Sequence, residues 1–200
     1  MTYVPERMPQ PSRARAAEFA KGIGFGSVFV EASRLAVAHV PIQVVLDEGT
    51  GLPAEVVFHF SVKNELVGLL AGSARALLVF RGPDGYISPR WYDQESFPTW
   101  DYAFVHMTGL AGPVAEARLR RHIKDLVERF DPGLAFGEEF IDRYIGGIRG
   151  FSMSFPEVEP LFKLSQDKNE ASVNGVLRGL RRRGESLDGR LADAIEAVRR

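Results

Sequence analysis

The stretch EVVFHFSVKNELVGLL, residues 55–70, sets the reading of the fold. Its first half is a Val- and Phe-rich strand and its second, NELVGLLAG, has the pattern of a short helix. Successive side chains of a strand point to opposite faces, so His59 faces away from both Phe58 and Phe60. One face of this strand is therefore apolar. His59 looks into whatever lies on the other.

Similar runs lie on both sides of it. FGSVFVEA (25–32), LAVAHVPIQVVLD (35–47), ARALLVFRG (74–82) and DYAFVHMTGLAGPV (101–114) are rich in Val and Phe and are broken by Gly, Pro or Asp. With the strand of residues 54–62 they make five runs at short spacing, which suggests a small antiparallel barrel, and GFSMSF (150–155) is expected as a further strand. Helical patterns surround them. SRARAAEFAKGIG (12–24) starts at Ser12 as N-cap and ends at Gly22 and Gly24. In VAEARLRRHIKDLVERF (114–130) helical spacing turns Leu119, Ile123, Leu126, Val127 and Phe130 inward and leaves Arg118, His122, Asp125 and Arg129 to solvent. EEFIDRYIGGI (138–148) repeats the pattern with Phe140, Ile141, Ile145 and Ile148. Asp167 and Glu170 have capping-box-like spacing before ASVNGVLRGLRRR, and LADAIEAVRR closes the chain. The expectation is one α+β domain over 1–200, a helical C-terminal part from about residue 114 packing on the barrel.

Composition narrows the chemistry. Lys plus Arg number 25 against 26 acidic residues, so no whole-chain field draws the protein to nucleic acid or anionic lipid. There are no cysteines, which excludes disulfides, iron–sulfur clusters, thiolate metal sites and a cysteine nucleophile. The opening MTYVPERMPQPSRAR lacks the apolar core of a signal peptide, and no apolar run is long enough to span a bilayer. A cytoplasmic protein with no membrane partner is expected.

Four segments could carry chemistry. GIGFG (22–26) precedes a strand instead of joining a strand to a helix, so it reads as a turn and not as a dinucleotide fingerprint. The segment FRGPDGYISPRWYDQESFPTWDYAFVH (80–106) holds both tryptophans, Trp91 and Trp100, and three of the five tyrosines, Tyr86, Tyr92 and Tyr102. So much aromatic surface packs on something. It is either a dimer interface and loop packing, or a wall for a flat cofactor with Ser88, Arg90 and Tyr92 as polar contacts. LFKLSQDKNE (161–170) places Lys163, Ser165, Gln166 and Lys168 before a helix, where an anionic partner or a solvated turn would account for the lysines. Arg178, Arg181, Arg182 and Arg183 lack aromatic interleaving and read as a solvated face.

The histidines complete the inventory. His122 falls on the polar side of its helix and is expected in solvent. His39 and His106 sit in strands as satisfied barrel histidines. No HxxxH, HExxH or carboxylate partner at ligand spacing supports a zinc site. A lone histidine can hold iron only where the iron brings its own equatorial ligands, as haem does, and core packing is the commoner explanation for His59.

MTYVPE, HVP (39–41), GPDGYISPRWY (82–92), PTWDYAFVH (98–106) and FKLSQDK (162–168) together resemble the PaiB-like family, whose members are labelled FMN-binding negative transcriptional regulators. The resemblance implies a six-stranded antiparallel split β-barrel with accessory and C-terminal helices, and a homodimer with cofactor sites at the interface. The family pattern at His59 is His-x-Ala-Arg-x-Asn, its arginine suited to a flavin phosphate. Here the run is His59, Phe60, Ser61, Val62, Lys63, Asn64. Loss of a bidentate guanidinium at Val62 weakens FMN and favours the haem branch of the family, the piperazate synthases. What that branch implies is haem b on His59, the metal ligand, and closure of N5-hydroxy-L-ornithine to L-piperazic acid by an N–N bond-forming, lyase-type dehydration. Arg90, Trp91, Tyr86, Lys163 and Gln166 are the further cofactor-binding residues it implies, with Lys63, Tyr92 and Ser88 for catalysis. The alternative is an FMN-binding regulator or another flavin- or haem-binding protein. No helix-turn-helix supports nucleic-acid contact. His39 or His106 replaces His59 as ligand if the strand phase slips by one residue.

Overall fold

The computed structural model describes residues 8–32, 34–134 and 137–199, so the opening MTYVPE motif lies outside the described residues. Seven strands form one sheet: β1 (Phe25–Glu31), β2 (Leu35–Leu46), β3 (Pro53–Ser61), β4 (Ala74–Ile87), β5 (Thr99–Pro113), β6 (Ile148–Ser154) and β7 (Glu157–Lys163). Their order is β4-β1-β2-β3-β6-β5-β7, and β4 also pairs with β5, so the pairings return on themselves. The helices are α1 (Arg13–Ile23), α2 (Leu66–Leu70), α3 (Glu116–Phe130), α4 (Glu138–Ile145), α5 (Glu170–Arg183) and α6 (Asp188–Ala197). The expected α+β antiparallel architecture is present, with one strand more than the six foreseen. The extra strand is β7, whose sequence EVEPLFK carries a proline and two acids and so lacks a strand signature. β4 also runs on through Gly82, Pro83, Asp84 and Gly85 to Ile87, although these are turn formers by type.

Two compact units divide the chain: Arg13–Phe80 with His106–Glu159, and Met1–Ser12 with Arg81–Val105 and Pro160–Arg200. In the first, the expected alternation along β3 holds. Phe58 and Phe60 are buried and His59 between them is half-buried on the opposite face. Phe58 pairs with Phe151 across to β6, the rings 6.3 Å apart and stacked, and Phe60 lies 5.7 Å from the same ring. With Val28, Val30, Ile42, Val44, Leu78 and Met153 these rings form the apolar core of this unit.

On the other face of β3 lies α3, and the register explains how close it comes. His59 pairs with Gly150 of β6. A Cβ at Gly150 would stand 2.7 Å from Val114 Cγ2 and 3.0 Å from Leu119 Cδ1, so only glycine admits the helix at this distance. The expected inward stripe of α3 is corrected by this docking. Leu119 and His122 are the buried residues of the helix, while Phe130 is 59% exposed. The face of the sheet beneath carries Glu55, His59 and Gln43, so the helix presents Arg118, His122 and Asp125 to it. Polar partners, not an apolar stripe, set the rotation.

The second unit is built on Trp91, in the single helical turn Pro89–Trp91. Gly175 and Gly179 of α5 face it. A Cβ at Gly175 would fall 1.9 Å from the Trp91 carbonyl oxygen, and one at Gly179 2.2 Å from its ring. Arg183 lies over the ring at 5.3 Å and donates to Tyr86 O at 2.9 Å. Its guanidinium also pairs with the buried Asp188, Nε to Oδ2 at 2.8 Å. Arg183 is thus tied into α6, which corrects its assignment to a solvated face. The cap of α5 is Asn169, whose side chain accepts from Ser172 N at 2.8 Å; Asp167 does not cap it.

Glycine-to-alanine changes ordinarily stabilise a helix interior by about 1 kcal/mol. At Gly179 the sign reverses, because the added methyl collides with an indole ring. Gly179→Ala is expected to destabilise the protein by about 1–3 kcal/mol in denaturant unfolding.

Candidate functional site

In the unit holding β3, four side chains form an unbroken hydrogen-bonded line across the polar face of the sheet. His59 Nδ1 lies 3.1 Å from His122 Nε2, and His122 Nδ1 lies 3.0 Å from Gln43 Oε1. Gln43 Nε2 donates to Asp125 Oδ2 at 2.7 Å, and Arg121 Nε donates to the other oxygen of Asp125 at 3.1 Å. β2 supplies Gln43, β3 supplies His59 and α3 supplies the rest. The two imidazoles meet edge to face with centroids 5.2 Å apart. His122, expected in solvent, is wholly buried. Burial, then the neighbouring His59 and Arg118, push its pKa down to about 3, so it is neutral at physiological pH. Burial also lowers the pKa of His59. Beside this line Arg118 pairs with Glu55 at 2.8 Å.

The His59 Nε2 atom has no hydrogen bond among the described residues, on a ring that is half-buried. Lys63 and Val62 follow it in an exposed turn. The other strand histidines are otherwise engaged. His39 is exposed and bonds Ser27 Oγ through Nδ1 at 2.8 Å, and His106 Nδ1 stands 3.9 Å from Glu159. Among the described residues no group of three or more His, Asp or Glu could hold a bare metal ion.

The other unit gathers the aromatic segment and the KLSQ turn around a cavity of about 280 Å³. Asp101, only 1% exposed, accepts from Ser165 Oγ at 2.6 Å and lies 3.6 Å from Lys163 Nζ. Its pKa is raised by burial, against the pull of Ser165 and Lys163. Lys163 also donates to Trp100 O at 2.7 Å and to the Thr99 hydroxyl. Tyr92 lines the same cavity with its hydroxyl buried and without a hydrogen-bond partner among the described residues. Burial and then Asp101, against the pull of the nearby Ser165 hydroxyl, push that phenol up to about 12, so it stays protonated. Lys168 Nζ lies 5.3 Å from the Tyr92 ring, and Asp167 borders the cavity.

The turn that delivers these groups is held tightly. Ser165 has φ +56°, a left-handed conformation rare for residues with a side chain. Gln166 stabilises it: Oε1 accepts from Leu164 N at 2.6 Å, and Nε2 donates to Phe162 O and Pro9 O. Gln10 bonds both the N–H and the carbonyl of Phe162. Of the remaining residues read from sequence, Ser88 caps the turn by accepting from Arg90 N at 3.3 Å, and Arg90 is exposed. Tyr86 packs edge to face on Trp100 at 6.4 Å. The nine expected site residues thus fall into two groups, His59 with Lys63 in one unit and the other seven in the second. Sequence reasoning missed His122, Gln43 and Asp125 in the first group and Asp101 in the second. The one signal for Asp101 was an acid at the start of an aromatic strand.

A family model described as "Putative FMN-binding domain" matches residues 2–156. Protease synthase and sporulation protein PAI 2 of Bacillus subtilis is 28% identical over 145 residues, covering 69% of this chain and 70% of that protein. Among solved structures, the FAD and haem binding protein from Mycobacterium smegmatis has a TM-score of 0.60 at 17% identity, over 76% of this chain and 71% of that one. The flavocytochrome Anf3 from Azotobacter vinelandii has a TM-score of 0.55 at 14% identity, over 81% and 73% of the two chains. At such identities the likeness is one of fold: an antiparallel sheet with helices, as in those flavin-binding split barrels.

Two measurements follow from the electrostatics. The pKa of His122 is depressed in the fold, so the unfolded chain takes up a proton below about pH 6.5 that the folded chain refuses. Stability is therefore complete above that pH and falls by about 1.4 kcal/mol per unit beneath it, a slope that His122→Phe should reduce by about one proton. Tyr92→Phe removes a buried hydroxyl that makes no hydrogen bond of ordinary length among the described residues, so unfolding should be unchanged or shifted up by about 1 kcal/mol. A residue kept for stability would show the opposite.

Proposed function

Because the chain belongs to this PaiB-like, FMN-binding-domain family, we propose that it holds a flat prosthetic group, that the group is haem b, and that the protein is a piperazate synthase. The observation that carries the haem assignment is His59 itself. It is a half-buried neutral imidazole with Nδ1 engaged and Nε2 without a partner among the described residues. Such a donor suits iron that arrives with four equatorial nitrogens, and the absence of Arg at Val62 removes the guanidinium that a flavin phosphate would use. His59 is the ligand in this reading. The family resemblance also implies Tyr86, Arg90, Trp91, Lys163 and Gln166 as cofactor-binding residues; they lie in the other unit, so the haem assignment rests on His59 alone.

The reaction is a balanced dehydration. The α-amine nitrogen of N5-hydroxy-L-ornithine bonds to N5, the N–O bond breaks, and the departing hydroxide leaves with a proton as water. The N–O bond is the oxidant, so no redox equivalent is consumed. Ferric haem, when bound, supplies a Lewis acid for the hydroxylamine. The protein's own task is to fold the substrate so that its two nitrogens meet and to move two protons. Tyr92 is protonated at neutral pH and so can act as a proton donor, and Lys163 on the same cavity is a cation for the carboxylate of an amino acid. Lys63 and Ser88 are the other candidates for proton transfer.

A second reading, an FMN-binding regulator, is supported by the family description and by Lys163 and Lys168 on one cavity, cations suited to a phosphate. A homodimer is part of both readings, and a small-molecule substrate belongs to the first alone. A spectrum of the purified full chain separates them. The haem reading expects a Soret band that is lost in His59→Ala, and mass analysis should show loss of one water from N5-hydroxy-L-ornithine. Flavin bands without a Soret would favour the second reading.

A further inference from the structure

We propose that Asp125, Gln43 and His122 are positioning residues that fix His59 as the tautomer carrying its proton on Nδ1, leaving Nε2 as a lone-pair donor before any metal arrives. The hydrogen-bond directions force this assignment link by link. Asp125 pairs with Arg121 and can only accept, so the group facing it from Gln43 is the amide N–H. The amide oxygen of Gln43 then faces His122, so Nδ1 of His122 carries the proton. A neutral imidazole protonated on Nδ1 has only a lone pair on Nε2. His59 Nδ1, at 3.1 Å from that lone pair, must donate to it, and His59 Nε2 is left without a proton.

The line differs in kind from a histidine that donates directly to a carboxylate. Here the negative charge stands two neutral groups away and is itself paired with Arg121. His59 is therefore oriented and desolvated without being driven toward imidazolate, a donor of ordinary strength for an iron that must stay Lewis acidic. Gln43 is the polarity switch of the line. Replaced by an apolar residue, it would leave His122 free to carry its proton on Nε2, and His59 could then accept on Nδ1 and hold its own proton on Nε2, a tautomer that must reverse before metal binds.

The tautomer stands on geometry alone, whereas its use for iron rests on the haem reading, and two readouts keep them apart. The first is a long-range ¹H–¹⁵N correlation on the full chain labelled in histidine, recorded without added haem at pH 7.5. The proposal expects a protonated Nδ1 and a pyridine-type Nε2 for both His59 and His122. A protonated Nε2 on His59 overturns it. The second is titration of the wild type and of Gln43→Leu with haem, with thermal unfolding as the check on folding. A folded Gln43→Leu protein should show a mixture of His59 tautomers and bind haem about 10–100-fold more weakly. Unchanged tautomer and unchanged affinity in that variant overturn the relay. The expected tautomer in a wild type that takes up no haem supports the relay and removes the ligand assignment instead.

Discussion

The close approach of α3 to the sheet at Gly150 is the constraint on which the His59 face depends. With no side chain at Gly150, Val114 and Leu119 settle onto β6, and the next turn of the helix carries His122 onto His59. The contact is polar where helix-on-sheet packing is usually apolar. Burying polar groups is tolerable only if each is hydrogen-bonded, which explains why the line runs without a break from His59 to Asp125. A gap at any link would leave a buried imidazole or amide unsatisfied, at about 1–3 kcal/mol. The same completeness that stabilises the packing also dictates which nitrogen of His59 is free. Fold and function meet in one accounting of protons.

The second unit is organised around a different close approach, that of α5 to Trp91 through Gly175 and Gly179. It fixes the helical turn that Tyr92 follows, while Gln166 and Gln10 lock the strained turn at Ser165 from the other side. Between these supports Asp101 and Ser165 are buried and, with the half-buried Lys163, line the cavity that holds Tyr92. The Tyr92 hydroxyl is buried without a hydrogen-bond partner within reach among the described residues. An unsatisfied donor in a cavity is a cost to folding that a ligand can relieve.

Much of this was legible in the sequence, and the limits have physical causes. Alternation along residues 55–61 gave the strand and the face of His59, since period-two patterning survives wherever one face is buried. The resemblance of the aromatic loop and the KLSQ turn pointed to the family. The line from His59 was not legible, because helical periodicity assigns the apolar stripe inward and so turned His122 and Asp125 to solvent. Only the strand pairing, which puts Gly150 beside His59 and Gln43 one strand away, makes a polar helix face the fitting one. The Asp101–Ser165 bond joins residues 64 apart in sequence, beyond the reach of any local pattern. Pro160 hid β7, and the reach of Asn169 to Ser172 displaced the expected cap.

The central claim is that His59 Nε2 binds haem iron as a neutral imidazole. Resonance Raman spectroscopy of the ferrous, haem-loaded full chain, prepared with and without ¹⁵N-histidine, tests it most directly. The account predicts an iron–histidine stretching band that shifts with the isotope and is absent from His59→Ala. A haem-loaded protein whose low-frequency bands ignore the label, or keep the shifted band after His59→Ala, would contradict it.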